Sequence, residues 1–155
     1  MAATAWQLYN DGKRFIGNGT ITLGAGSFKM ALFTSASNAS TFTLSTFASL
    51  TNQIALTGGY VSGGKALVPA TGQWTTGASA KQMKFTYSTV GLTFTASGSA
   101  LTNVKYAVIT WGASAAVASA RKLLCFCRLS SSQFTVSSPN TLTVLPAATG
   151  VFTLT

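Results

Sequence analysis

Of the side chains that carry most protein chemistry, this sequence of 155 residues holds few: one acid, Asp11, two thiols, Cys125 and Cys127, ten lysines and arginines, and no histidine or glutamate. A carboxylate pair for general acid–base work needs a second acid, and a Ser-His-Asp or Cys-His nucleophile or a histidine-built metal site needs an imidazole. A serine activated by lysine stays open in principle, yet no local motif singles out such a pair. The residues therefore point to a protein that is not an enzyme and has no catalytic residues, no cofactor and no metal site.

One stretch imitates a nucleotide site. Gly59-Tyr-Val-Ser-Gly-Gly64-Lys65-Ala66 follows the phosphate-loop spacing G-x-x-x-x-G-K, but Ala66 stands where a serine or threonine would ligate magnesium. A triphosphatase also needs an acid for the metal, and Asp11, within the turn signal Asn10-Asp-Gly12, is the one candidate. The expected structure is a glycine-rich turn.

The thiols and the cations bear on partners. Cys125 and Cys127 are neighbours on one strand face and cannot bridge each other without bending the backbone, so they read as small buried hydrophobes. The formal charge of +9 attracts a polyanion or an acidic protein surface. Lys13-Arg14, Lys81 with Lys84, and Arg121-Lys122 with Arg128 form three small basic clusters, either solvated faces or phosphate contacts. No recognition helix or aromatic RNA-binding signature accompanies them, which ranks nucleic acid below a protein partner.

The elements that must position these groups are strands. Val104 to Trp111 and Leu123 to Leu129 flank a small-residue connection, Gly112 to Ala120, and read as a central hairpin around which the chain is organised. Strict alternation puts Leu123, Cys125, Cys127 and Leu129 on the inward face, with Leu124, Phe126 and Arg128 opposite. Further strands are expected at Thr20–Leu23, Ser27–Ser35, Ala66–Val68 (stopped by Pro69), Met83–Tyr87 and Leu92–Ala96, then around Phe134 and Val136, Leu142 and Val144, and Val151 to Leu154. Leu44, Phe47, Leu50 and Ile54 recur at helical spacing and predict a short helix or helical turn. Thr71 to Ala80 reads as a polar loop carrying Trp74.

About nine short strands separated by turns predict an all-β fold, an antiparallel β-sandwich or jelly roll with at most one or two short helices. Residues 1–16 are expected to form an N-terminal arm or short helix, and residues 17–155 one β-sandwich domain. Hydrophobic residues make up 47% and charged residues only 7%, against roughly 25% charged in average soluble domains, which favours a surface used in assembly. No apolar run reaches the ~18 residues of a membrane-spanning helix. The start, Met1-Ala-Ala-Thr-Ala-Trp6, lacks the pattern of a secretory signal, so synthesis in the cytoplasm is expected. Trp6, Leu8, Tyr9, Lys13, Arg14 and Trp74 are the expected partner interface; the N-terminal aromatics either cover an open edge or end of the chain's own sheet or, the favoured reading, dock on a neighbouring molecule.

The order of several segments carries a resemblance that spans nearly the whole chain. Trp6-Gln-Leu-Tyr9, Gly19-Thr-Ile-Thr-Leu23, Ser27-Phe-Lys-Met-Ala-Leu-Phe-Thr-Ser35, Gly58-Gly-Tyr60-Val-Ser-Gly-Gly-Lys-Ala-Leu67, Val104-Lys-Tyr106-Ala-Val108 and Ala148-Thr-Gly150-Val-Phe152 together resemble a family of small bacteriophage virion proteins. The chain departs from that pattern in having no acids around Gly58-Gly59-Tyr60. The resemblance implies a structural component without enzymatic activity. First comes a capsid decoration (cement) protein that binds and stabilises the assembled shell; the alternative is a tail or fibre component that contacts a receptor. The implied partners are the major capsid protein or other virion proteins, with a homo-oligomer or lattice-bound copies, in a virion assembled in the host cytoplasm.

Overall fold

The computed structural model describes residues 3–25, 27–68, 73–77, 79, 81–112 and 117–154. Pro69, and parts of the expected 71–80 loop and 112–120 connection, lie outside them. In chain order the elements are β1 (Gln7–Leu8), α1 (Asn10–Gly17), β2 (Ser27–Thr34), β3 (Lys65–Ala66), β4 (Trp74–Thr76), β5 (Met83–Phe85), β6 (Leu92–Thr95), β7 (Leu101–Gly112), β8 (Lys122–Arg128), β9 (Phe134–Val136), β10 (Thr141–Val144) and β11 (Phe152–Leu154), with 3-10 turns at Phe47–Ser49 and Ala118–Ala120. The fold is all-β, and every strand pairing is antiparallel.

The main sheet runs β1-β8-β7-β2-β3, with β9 on the first part of β7. The smaller sheets β10-β6 and β11-β5-β4 complete the set. Phe28, Met30 and Leu32 of β2 and Ala107 and Ile109 of β7 pack with Phe85, Leu92, Phe94 and Val144 of the smaller sheets in one core. The opposite face of the main sheet buries Ala31, Phe33, Val108, Leu123 and Phe126 with Tyr9 and Ala39, and Leu44, Phe47 and Leu50 pack on them. This is a sandwich-like arrangement whose outer face is roofed by a loop.

The central hairpin is as expected: β7 pairs with β8 from Tyr106↔Arg128 to Trp111↔Lys122. Its facing differs. The register steps between Ile109↔Cys125 and Thr110↔Leu123, which leaves Leu124 as an extra residue in β8. A bulge of this kind breaks the alternation locally. Cys125, Cys127 and Leu124 thus face the main core, while Leu123 joins Phe126 on the loop-covered face.

Other expectations are corrected by tertiary contacts. Asn10-Asp-Gly12 does not turn the chain but opens α1. Gly12 is buried where a Cβ would stand 2.5 Å from the Leu124 carbonyl oxygen, so the glycine lets the helix lie against the β8 backbone. Asp11 sits in the first turn, where the helix dipole favours a negative charge. Residues 20–23 form bends and turns that supply Ile21 and Leu23 to the core. The Leu44–Ile54 spacing yields one 3-10 turn, Phe47–Ser49. Trp74 lies in strand β4, not in a loop. Among the described residues no helix is long and apolar enough to cross a membrane.

Candidate functional site

The residues before α1 are held by the main sheet. The Thr4 amide donates to the Arg128 carbonyl at 2.9 Å, Gln7 and Leu8 pair with Phe126 and Cys125, and the Tyr9 amide donates to the Leu124 carbonyl at 3.1 Å. Tyr9 is fully buried, its ring 5.1 Å from that of Phe126. That removes Tyr9 from the expected partner interface: a side chain with no exposed surface is spent on its own core. Leu8 and Trp6 are half-buried against the main core. The N-terminal residues are therefore the short helix and an edge strand, not a detached arm.

Trp74 is half-buried too, its ring 6.5 Å from that of Phe152 across the small sheet. It belongs to the β11-β5-β4 sheet, whereas Trp6 precedes β1 of the main sheet. With Tyr9 buried, the six expected interface residues do not all share one exposed patch.

Lys13 and Arg14, by contrast, remain exposed on α1, and the fold adds a third cation to them. The Arg14 guanidinium lies 4.8 Å from the Phe15 ring centroid and the Lys122 ammonium 5.4 Å from the same ring, so β8 and α1 present their cations side by side. Both distances suit a cation–π contact. Asp11 accepts a hydrogen bond from Arg14 Nε at 2.8 Å. That bond, more than the attraction of Arg14 and Lys122, holds the Asp11 carboxyl below the usual carboxylate range. The chain's one acid is thereby engaged, and no other cation in the sequence has a side-chain carboxylate to pair with.

The other sequence clusters disperse. Arg121, Lys122 and Arg128 separate because Arg121 is fully buried, Lys122 reaches Phe15, and Arg128 is at the far end of β8 beside Thr4. Lys84 donates to the Ala148 carbonyl at 3.4 Å, and Lys81 is exposed nearby in sequence. The sequence pairs Lys13 with Arg14 but gives no local sign that Lys122 joins them; the β1–β8 pairing is what places it there.

Two concavities lie elsewhere on the described surface. An apolar groove of about 680 Å³ runs between Ala3–Trp6 and the β10–β11 connection, over Cys127, Leu129 and Phe134. Burial pushes the Cys127 thiol up to about 12, so it is neither a nucleophile nor a ready metal ligand at neutral pH. A smaller hollow of about 300 Å³ lies beside Gly59–Lys65. There Lys65 donates to the Thr93 carbonyl at 2.8 Å, and the chain continues into strand β3. A phosphate loop instead leads into a helix whose N-terminus faces the phosphates.

No protein-family model matches the chain, and neither a curated protein nor a solved structure matches it.

Proposed function

We propose that the protein is a non-enzymatic virion structural protein, a capsid decoration protein that binds the assembled shell and stabilises it. The observation that carries this reading is the meeting of Arg14 and Lys122 on the Phe15 ring, next to the exposed Lys13 of the same helix, with the one nearby acid already bonded to Arg14. Such a patch is complementary to an acidic protein surface, where opposite charge raises association rate and fixes orientation. The resemblance of the segment order to small bacteriophage virion proteins supports the same reading, and a side-chain inventory with one acid and no imidazole supports its non-enzymatic part. A ligand that prefers assembled shell to free subunits stabilises the shell by mass action.

The test is to add the purified protein to shells lacking it and to count copies per particle by quantitative gel and particle imaging. Decoration predicts occupancy in the hundreds, weaker binding as salt rises, and shells that withstand higher temperature. Occupancy confined to the tail, in tens of copies or fewer, would instead make it the tail or fibre component. Retention on DNA at about 0.15 M salt, with none on shells, would transfer the basic patch to phosphate binding.

A further inference from the structure

Arg14 is held at two points and left open at a third. Its Nε donates to Asp11 Oδ1 at 2.8 Å, one turn back on the same helix face, and its guanidinium carbon lies 4.8 Å from the Phe15 ring centroid. Among the described residues Nε is the one nitrogen of Arg14 that is bonded, and the side chain is 60% exposed. With Nε taken, the N–H groups of Nη1 and Nη2 form the remaining fork, open to solvent and to a partner.

A guanidinium on a free stem loses rotamer freedom when it grips a ligand, and that loss weakens binding. In Arg14 the bond to Asp11 and the Phe15 ring have already removed part of that freedom. Helix α1 is itself fixed, since Gly12 lies against the Leu124 carbonyl of β8. The fork thus stands on a packed element in a set direction. Lys122 of β8 reaches the same Phe15 ring at 5.4 Å, and Lys13 is exposed on α1. The neighbourhood stays positive even after the charge of Asp11 is counted.

We propose that Arg14 is a preset carboxylate fork: Nη1 and Nη2 bind the two oxygens of an acidic side chain on the partner protein, and Asp11 is a positioning residue that holds the fork. The planar guanidinium matches a carboxylate through two parallel hydrogen bonds, which an ammonium cannot reproduce. We take the acid to be one on the shell, which rests on the decoration reading; the fork itself can be tested without shells. A protein carboxylate is favoured over a nucleic-acid backbone because no described contact brings a further cation to this ring. Arg128 stands beside Thr4 at the other end of β8, and Lys65 and Lys84 bond to the Thr93 and Ala148 carbonyls. A phosphate backbone is gripped along a run of cations.

The test titrates the nitrogen-15-labelled full chain with a hexaglutamate peptide, with sodium chloride at matched ionic strength, and with a short single-stranded oligonucleotide. The Arg14 Nη–H signals are expected to shift saturably with the peptide and not with chloride. Arg14→Lys keeps the charge and removes the fork, and is expected to weaken peptide binding about tenfold, the scale of one lost charge-assisted hydrogen bond. Arg128→Lys, the same exchange outside the patch, leaves binding unaltered. Asp11→Asn and Asp11→Ala remove the same charge, but only asparagine leaves an oxygen to accept from Nε. The alanine variant is therefore expected to bind about threefold more weakly than the asparagine variant, the scale of reordering one freed side chain. The fork is overturned by Arg14 signals that ignore the peptide or follow chloride equally, or by an Arg14→Lys chain that binds as the native one does. Equal binding by the two Asp11 variants overturns the positioning role, and tighter binding of the oligonucleotide overturns the carboxylate. Failure of the decoration reading looks different: the native chain then binds hexaglutamate with its Arg14 signals shifted, yet does not bind shells.

Discussion

The hydroxyl of Tyr9 donates a hydrogen bond of 2.6 Å to the carbonyl oxygen of Ala39, tying the start of the chain to the loop that roofs the main sheet; both residues are fully buried. Tyr9→Phe keeps the ring against Phe126 but leaves that carbonyl without its donor, which costs about 1–3 kcal/mol. Each kcal/mol lowers Tm by roughly 2–4 °C in a chain of this size. Deleting residues 3–9 removes β1 and the Tyr9 ring together, and loss of the cooperative melt is the expected result. A truncated chain that melts as the full one does would show that these residues are not part of the core.

Gly64 makes the closest approach to another backbone among the glycines of the glycine-rich turn. Its φ is +79°, and a Cβ there would stand 2.0 Å from the Met30 carbonyl oxygen in the main sheet. Gly64→Ala is therefore expected to destabilise by more than about 3 kcal/mol, since both the left-handed backbone and the packed strand must give way. Lys65→Ala loses one exposed bond to the Thr93 carbonyl and should fall within about 0.5 kcal/mol, the range of ordinary surface changes. Denaturant melts of the two variants check this. ATP or GTP turnover abolished by Lys65→Ala would reinstate the phosphate-loop reading.

Cys125 and Cys127 are free and buried. Thiol reagents should label neither in the native protein at pH 8 and both in denaturant, because burial disfavours the thiolate. Cys125→Ser puts a hydroxyl into the main core and is expected to cost about 1–3 kcal/mol. Mass spectrometry after timed labelling, alongside a melt, reads both effects, and fast native labelling would contradict the burial.

Stability should fall on the alkaline side. Burial pushes the Tyr60 hydroxyl and the Cys127 thiol each up to about 12, and raises Cys125, Tyr9 and Tyr87 as well. A group whose pKa is raised by folding holds its proton more tightly in the folded state. Its contribution is thus complete below the unfolded value and lost as pH climbs to the folded one. For Cys127 that window runs from 9.0 to about 12. On the acid side Asp11 is the one side-chain carboxylate, lowered by Arg14 in the folded state. Its contribution is present above the unfolded value and lost as pH falls, but its exchange with solvent keeps the effect small. Equilibrium unfolding followed from pH 3 to 12 is expected to show a flat acid limb and a steep alkaline one. A steep acid limb would contradict this account.

The amino-acid sequence by itself determined the class of the protein and the limits of its chemistry. One acid and no imidazole settle which side-chain constellations are unavailable, whatever the fold. Apolar runs in Ser27–Thr34 and in the two arms of the central hairpin made β2, β7 and β8 legible, because a strand buried on both faces is written locally as a short, nearly continuous apolar run. What depends on a partner strand was not written locally. Leu124 is an extra residue only relative to the register of β7, so the facing of Leu123 was decided by pairing. Asn10-Asp-Gly12 has turn composition, yet the approach of the Leu124 carbonyl to Gly12 made it a helix start packed on β8. Short β4 has too few residues to show a period, and its pairing with β5 alone defines it. The basic patch was half legible: Lys13 and Arg14 are adjacent in sequence, but Lys122 joins them only because α1 lies along β8. Arg121, next to Lys122 in the chain, went into the interior instead, because successive residues entering a strand point to opposite sides and Thr110, Ser27 and their carbonyls waited on one of them.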